Sequence, residues 1–307
     1  MSTAVSPRRL SRRRQAPLAR REARRFHLFA LPWLIGFIFF TGGPIVASIV
    51  ISFTKWELLS SPEWIGLDNY RRLLTDPDFY VALKNTVYFG AGSALVGVVF
   101  NFVLALMLNM KVRGQAIFRT IIYMPSVLSG IATALLWIHV LHPDYGLINH
   151  LLAYVGIQGP GWLVDEAWAI PGLVIMSVWT AGNAMVIFLA GLQGVPPSLY
   201  EAAEIDGAGW WGRFRHVTVP MMSPVIFFNM IVGFIGSLQA FTLVLFMTGG
   251  GPANATLVLG LYVYRYAFQY FDMGYASTIA WALFLLIIIF TAAQFWLARR
   301  WVHYEFK

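Results

Sequence analysis

Apolar residues in this chain gather into six long blocks, at 28–53, 85–108, 117–141, 169–192, 219–247 and 276–298. A helix that crosses a bilayer needs about 20 mostly apolar residues at a rise of about 1.5 Å each, and every block is long enough. The runs are continuous rather than alternating, which is the pattern of a helix and not of a barrel strand. Lipid offers no partner to a backbone amide, so each block must close its hydrogen bonds within itself. The pattern therefore predicts an all-α membrane protein with six transmembrane helices.

The polar stretches predict the rest. In 54–84, Asp68-Asn69 reads as a cap ahead of a short helix over 70–74, and Asp76-Pro77-Asp78 as a turn. Residues 195–220 carry the markings of a short capped helix. Pro196-Pro197 closes the preceding block, because proline cannot continue a helix without losing a bond. Ser198-Leu199-Tyr200-Glu201 fits a capping box, which satisfies two open amides at a helix start. Helix is then expected from Leu199 to Asp206, ended by Gly207 or Gly209 in the left-handed conformation. Ala202 and Ala203 let another backbone come close, while Glu201, Glu204 and Asp206 offer charge to a basic surface. A helix lying on lipid normally carries Lys and Arg on its polar face. This one is acidic, which points to a protein partner.

Composition agrees: of 307 residues, 58% are hydrophobic and 12% charged, against about 25% charged in soluble domains. The basic residues are placed unevenly. Nine arginines precede Phe26, and with Lys111, Arg113, Arg119, Arg213, Arg215, Arg299, Arg300 and Lys307 they put 17 of the 22 basic residues on one side. By the positive-inside rule both termini and the loop 196–220 are cytoplasmic, and loops 54–84, 142–168 and 248–275 face outward. Residues 1–25 read as a disordered basic cytoplasmic tail, and 26–307 as one transmembrane domain without internal repeats. The tail lies against a span and lacks interleaved aromatics, so it sets topology rather than binding nucleic acid. Arg24-Arg25-Phe26-His27-Leu28 is faintly like a twin-arginine export signal, but no small-x-small cleavage site follows, and the first helix is expected to be retained. The absence of cysteine excludes disulfides and thiolate metal sites.

Glu201-Ala202-Ala203 and Asp206-Gly207-Ala208, with Phe214 and Pro220, resemble the EAA loop of importer-type ABC permeases. The stretch 119–149, with Met124-Pro125, Trp137 and Pro143-Asp144-Tyr145-Gly146-Leu147-Ile148-Asn149, resembles the sugar-uptake branch, the maltose and glycerol-3-phosphate permease type. So do Thr248-Gly-Gly-Gly-Pro-Ala-Asn-Ala-Thr256 and Phe271-Asp272-Met273-Gly274-Tyr275-Ala276-Ser277. The chain departs from the maltose permease in having six spans and no large extra outer domain. The resemblance implies the importer-type ABC permease fold, with a cytoplasmic coupling helix whose Tyr200, Glu201, Ala202, Ala203, Asp206, Gly207 and Ala208 meet a cleft on an ATPase. It implies half of a translocation pathway for a sugar or oligosaccharide. The implied partners are a second permease subunit in a hetero-dimer, two ABC ATPase subunits and an extracellular or periplasmic sugar-binding protein. The implied place is a bacterial or archaeal cytoplasmic membrane. The bulk-free turn Gly249-Gly250-Gly251-Pro252 reads equally as a place where that protein's backbone approaches and as an ordinary tight turn.

The four lysines, Lys55, Lys84, Lys111 and Lys307, include none in a P-loop. The chain is therefore expected not to be an enzyme and to carry no cofactor, with ATP and magnesium held by the partner ATPases. The alternative is a secondary sugar transporter or channel not driven by ATP. Such proteins commonly place ionisable residues at the bilayer midplane, and the middles of these blocks hold none. His139, His142 and Asp144 suggest a metal site only weakly, with no HExxH and no further ligand apparent, so no metal is expected. Asn229, Gly233, Gly236, Ser237 and Ala240 share one face of the fifth block, flanked by Gln239. The fourth block carries Ser177, Trp179, Ala181 and Asn183. Amides, hydroxyls and a flat ring suit a sugar, and the resemblance places substrate between the spans flanking the coupling loop. Ser177, Trp179, Asn183, Asn229, Gly233, Ser237 and Gln239 are the candidate substrate-binding residues. A small-residue stripe is also how membrane helices pack together.

Overall fold

The computed structural model describes residues 15–110, 113–180 and 182–303, with side chains described from residue 25 onward. Lys111, Ala181, Lys307 and residues 1–14 of the basic tail lie outside the described residues. The chain divides into two units, residues 1–51 and residues 52–307.

The first unit holds α1 (Gln15–Phe37), a π-helical turn (Ile38–Gly42) and most of α2 (Gly43–Ser52). The backbone is thus already helical from Gln15, ahead of the apolar block. Pro44 has no amide to donate, and the helical ladder widens to i→i+5 just before it, with Gly43 donating to the carbonyl of Ile38.

The second unit opens with a two-stranded antiparallel ribbon, β1 (Thr54–Lys55) and β2 (Glu63–Trp64), in which Thr54 pairs with Trp64. Then come α3 (Asp68–Thr75) and the long α4 (Pro77–Asn109). The third apolar block is broken: α5 (Gln115–Tyr123) and a 3-10 turn (Met124–Val127) meet α6 (Gly130–Val140) at 104°. The cause is local, since Pro125 withholds an amide and Leu128 and Ser129 are extended. After α7 (Leu147–Tyr154), the fourth block is also in two pieces, α8 (Ala169–Trp179) and α9 (Gly182–Gly194). Next follow α10 (Pro197–Ile205), α11 (Trp210–Arg213), a π-turn (Phe214–Thr218) and α12 (Val219–Leu238). The chain finishes with α13 (Thr242–Met247), α14 (Leu259–Tyr264), a π-turn (Arg265–Gln269) and α15 (Met273–Ala298). Among the described residues four uninterrupted helical stretches are long and apolar enough to cross a membrane, and counting each bent pair as one span brings the number to six.

Several local expectations need correction. Asp68 is not a cap but the first residue of α3, paired with Arg71 at 2.8 Å. Buried Asn69 instead donates to the carbonyls of Ser52 and Thr54. Asp76-Pro77-Asp78 is a helix start, not a simple turn: the Asp76 side chain accepts from the amides of Asp78 and Phe79, with Pro77 in the first position. Proline has no amide to satisfy there and its φ is already helical. The second span thus begins at Pro77 rather than near Asn85. The fifth block is not one helix either, because α12 ends at Leu238 and α13 is separate.

Two buried clusters organise this unit. One joins Phe89, Trp137, Leu173, Val244, Leu259 and Tyr275; the other joins Ala105, Met185, Phe188 and Met222. The helices approach through small residues, as lipid-embedded helices do. A Cβ on Gly90 would come within 2.6 Å of the Leu238 side chain, and one on Gly182 within 2.9 Å of the Ile122 carbonyl.

Candidate functional site

The α4, α8 and α12 helices, with Ala184 of α9 and Leu243 of α13, line an open-sided cavity of about 290 Å³. Asn229, Gly233 and Ser237 line it from one face of α12, as their helical spacing predicts, and Ser177 of α8 joins them, so four of the candidate substrate-binding residues come together. The remaining three stand apart from it. Trp179 faces a separate cavity of about 180 Å³ with Ile122 and Pro125, and its ring meets Trp137 edge-on at 5.6 Å. Asn183 is exposed on α9, and Gln239 is the exposed residue that ends α12. The α4 helix adds Ser93, Gly97 and Asn101 to the cavity wall. Those three escaped the sequence reading although they are spaced by four, the same one-face signature that marked α12.

The polar groups of the wall are held within it. Ser177 Oγ lies 2.9 Å from Ser93 Oγ and 2.8 Å from the Val174 carbonyl. Ser237 Oγ donates across the helix interface to the Gly90 carbonyl at 3.0 Å. Asn101 and Asn229 each donate Nδ2 to a carbonyl one turn back, of Gly97 at 2.8 Å and of Val225 at 2.9 Å.

The expected coupling helix is α10. No capping box forms: Pro196 occupies the cap position without a side-chain bond, and Ser198 already lies inside the helix. Pro197 at the first position has no amide, so one of the open donors of a helix start is missing there without any cap. The other end behaves as expected at Gly207 and not at Gly209. Gly207 has φ of 79°. Its amide donates to the Glu204 carbonyl at 3.0 Å, and that of Ala208 reaches back to Ala203 at 2.8 Å, the two bonds of a Schellman ending. Glu201, Ala202, Asp206 and Gly207 are exposed, and Tyr200, Ala203 and Ala208 half-buried. Ile205 is 87% exposed at the tip, an apolar knob that the sequence reading passed over.

Two contacts tie α10 to the helices behind it. Tyr200 Oη lies 3.1 Å from Thr218 Oγ1, and Arg213 pairs with Glu204 at 3.4 Å. Phe214 then meets Phe102 with ring centroids 6.3 Å apart. Phe102 follows Asn101 of the cavity wall, so a packed path runs from α10 through the π-turn to α4.

At the opposite end of α4, a second polar system fixes the segment 248–272. Asn85 donates to the carbonyls of Asn254 and Leu257, and Thr86 Oγ1 accepts from the Leu259 amide at 2.8 Å. Asp76 Oδ2 accepts the hydroxyls of Tyr262 and Tyr275. Arg72 pairs with Asp272 at 2.8 Å and lies 3.9 Å above the Tyr275 ring. Burial alone would push the Asp76 carboxyl up, but the hydroxyls of Tyr262 and Tyr275 and the amides of Phe79 and Asp78 outweigh it and hold the group below its ordinary value. Burial, then the Asp76 bond, push the Tyr262 hydroxyl up. The Gly249-Gly250-Gly251-Pro252 turn belongs to this segment, with Arg265 donating to the Gly249 carbonyl at 2.7 Å. His139 and His142 do not converge on a metal: His139 Nδ1 meets the Leu135 carbonyl, and no group of three such ligands exists among the described residues.

Residues 97–303 match the family described as binding-protein-dependent transport system inner membrane component. The chain is 39% identical over 286 residues to the probable ABC transporter permease protein YesP of Bacillus subtilis (strain 168), covering 92% of each chain. It is 38% identical over 279 residues to the lactose transport system permease protein LacF of Rhizobium radiobacter, covering 89% of this chain and 93% of that one. Among solved structures it resembles a chain of a bacterial ABC transporter that imports the acidic polysaccharide alginate. That likeness has a TM-score of 0.78 and 25% identity, over 92% of this chain and 99% of the other.

Proposed function

This chain belongs to the family of binding-protein-dependent transport system inner membrane components, and on that premise we propose that it is the permease subunit of an ATP-driven sugar importer, contributing half of the translocation pathway. It is a multi-pass membrane protein with the importer-type ABC permease fold, and ATP is hydrolysed on separate subunits. The observation that carries the functional reading is the pairing of a cavity built from α4, α8 and α12 with an exposed acidic helix joined to its wall through Phe214 and Phe102.

In this reading α10 sits in a cleft of an ABC ATPase, with Tyr200, Glu201, Ala202, Ala203, Asp206, Gly207 and Ala208 at the contact. Ile205, exposed in the isolated chain, is buried there. Both termini lie in the cytoplasm, as the basic residues favour. A second permease completes the pathway, and a binding protein delivers substrate at the outer face, where the segment 248–272 is held to α4. ATP binding closes two ATPases and moves α10. The movement reaches α4 through packed aromatic rings and changes which side of the membrane the cavity faces. This is a two-state element biased by differential binding. Ser177, Asn229, Gly233 and Ser237, joined by Ser93 and Asn101, meet the sugar. Magnesium and ATP stay on the partner subunits.

The chain has no cysteine, so an introduced one is unique on this subunit. A single Ala202→Cys in the assembled complex should crosslink to the ATPase in membranes, whereas Leu59→Cys on the other side should not. Crosslinking at Leu59 and none at Ala202 would overturn both the orientation and the coupling assignment.

A further inference from the structure

From Phe79 to Pro143 the chain carries Lys84, Lys111, Arg113 and Arg119 and no aspartate or glutamate. Arg119 lies on α5, one turn past Gln115, and is half-buried. Its Nε is sealed from solvent without a hydrogen-bond partner. None of the ion pairs among the described residues includes it. We propose that this guanidinium holds the phosphate of an anionic membrane phospholipid, at the membrane face on the α10 side.

The fold leads to that place. Gln115 donates to the Leu108 carbonyl at the end of α4. Leu108 shares a buried cluster with Leu192 and Val195, where α9 ends and the chain enters α10. The start of α5 therefore lies on the α10 side of the spans. Arg119 is about 6 Å further along the helix, a depth from which a long side chain can bury its stem and extend its charged end to the headgroup layer. The helices packed against α5 are α4 and α9, and neither offers a counter-charge. No acid lies on α9, and the one acid of α4, Asp78, is about 45 Å from Leu108 along the helix. The acids of α10 and its cap do not supply one either. Glu204 pairs with Arg213, and Glu201 and Asp206 are exposed with no ion pair to Arg119.

A phospholipid provides what the chain lacks. The sealed Nε holds the stem of Arg119 between the helices, which leaves the terminal nitrogens to an outside partner. Those nitrogens form a planar fork that fits two phosphate oxygens at once. Arg113 adds an exposed cation at the same edge, while Ile117, Phe118 and Ile121 expose apolar surface along α5. A headgroup site and an acyl-chain surface side by side match the two halves of a phospholipid, and basic pockets between membrane helices are where acidic headgroups bind. A soluble anion would use only the first half.

The test takes the assembly purified from host membranes, strips its lipid in mild detergent and titrates phosphatidylglycerol under native mass spectrometry. In Arg119→Gln the half-saturating lipid concentration should rise about fivefold, the effect of one basic residue lost near a headgroup. Arg119→Lys should fall between the two, because a point charge keeps the attraction without the fork. Lys84→Gln, at the opposite end of α4, should bind as wild type. Excess inorganic phosphate should not displace the lipid. A measurement that needs no variant is labelling of the wild type by phosphatidylglycerol with a photoreactive headgroup, which should mark residues 113–122. Equal titrations for wild type and Arg119→Gln, or labelling confined to other segments, overturn the proposal. Displacement by inorganic phosphate overturns the lipid as the source. Loss of a partner subunit from Arg119→Gln with an unchanged lipid titration overturns it too, and gives the guanidinium to a protein carboxylate.

Discussion

Asp76 takes the hydroxyl of Tyr262 on its Oδ2 at 2.6 Å while its Oδ1 caps α4, joining two positions 186 residues apart. One carboxylate thereby starts a membrane-spanning helix and anchors the segment that follows α13. Asp76→Asn separates the two tasks. Asparagine keeps an oxygen for the amides of Asp78 and Phe79, but its Nδ2 cannot accept from Tyr262 and Tyr275. The expected loss is about 1.5–3 kcal/mol, as for hydrogen bonds to a charged group. Amide hydrogen exchange over 254–272 in the intact complex should speed up accordingly, with exchange in α9 unchanged. Equal protection in the variant would show that the tyrosine bonds do not hold the segment.

The same carboxyl sets a pH response. Its folded value lies below the ordinary one, so the stabilisation is complete above the unfolded value of about 3.9 and is lost as pH falls through the lower folded value. Protection of 254–272 should therefore be level from pH 8 to about pH 5 after correction for intrinsic exchange, and weaken only below about pH 4. Asp76→Asn, which has no proton to take up, should show no such acid step. A wild-type step near neutral pH would assign the response to another group.

Much of this was legible in the sequence because lipid imposes a simple rule. Long apolar runs must be helical, and helix occupies most of every block among the described residues, in one piece or in two. The stripe Asn229, Gly233 and Ser237 was readable for the same reason: a spacing of three or four on a known helix puts residues on one face. The break at Leu128–Ser129 had a readable cause in Pro125 that the length of the block masked, and the break after Leu238 falls at the single polar residue Gln239, which block length alone does not mark. Asp76 was read as a turn because Asp-Pro-Asp serves turns and helix starts alike. Its partners, Tyr262 and Tyr275, are too distant in sequence for any local pattern to join them. Trp179 and Gln239 sit close to the cavity residues along the chain, yet the ends of α8 and α12 turn them elsewhere.

Gly207 closes α10 with φ of 79°, a conformation that costs a β-branched residue about 1–2 kcal/mol. Nothing lies within 4 Å of a Cβ built there, so crowding inside this chain does not contribute. Gly207→Val should unravel the Schellman ending and tilt the Glu201–Asp206 face. Sugar uptake should fall by at least about tenfold, while the amount of chain in the membrane stays near wild type. Gly209 offers the internal control. It has an ordinary extended backbone, and Gly209→Ala should transport normally. Equal transport by both variants would remove the rigid-ended helix from the coupling mechanism.

Gly97 and Gly236 test the cavity itself. Both line it, and neither would bring a Cβ within 4 Å of any other atom of the chain. Valine at either position therefore fills open space instead of forcing α4 and α12 apart. Gly90 differs, because a Cβ there would come within 2.6 Å of the Leu238 side chain. Gly97→Val and Gly236→Val should leave the melting temperature of the purified complex within a few degrees of wild type, in keeping with a stability change under about 1 kcal/mol. Both should reduce sugar uptake, and the loss should grow with the length of the oligosaccharide, since a longer chain has less freedom to avoid the obstruction. Gly90→Val should lower the melting temperature instead, by displacing α12 from α4. If both cavity variants carried long and short sugars at wild-type rates, the passage would have to run along a different face of these helices.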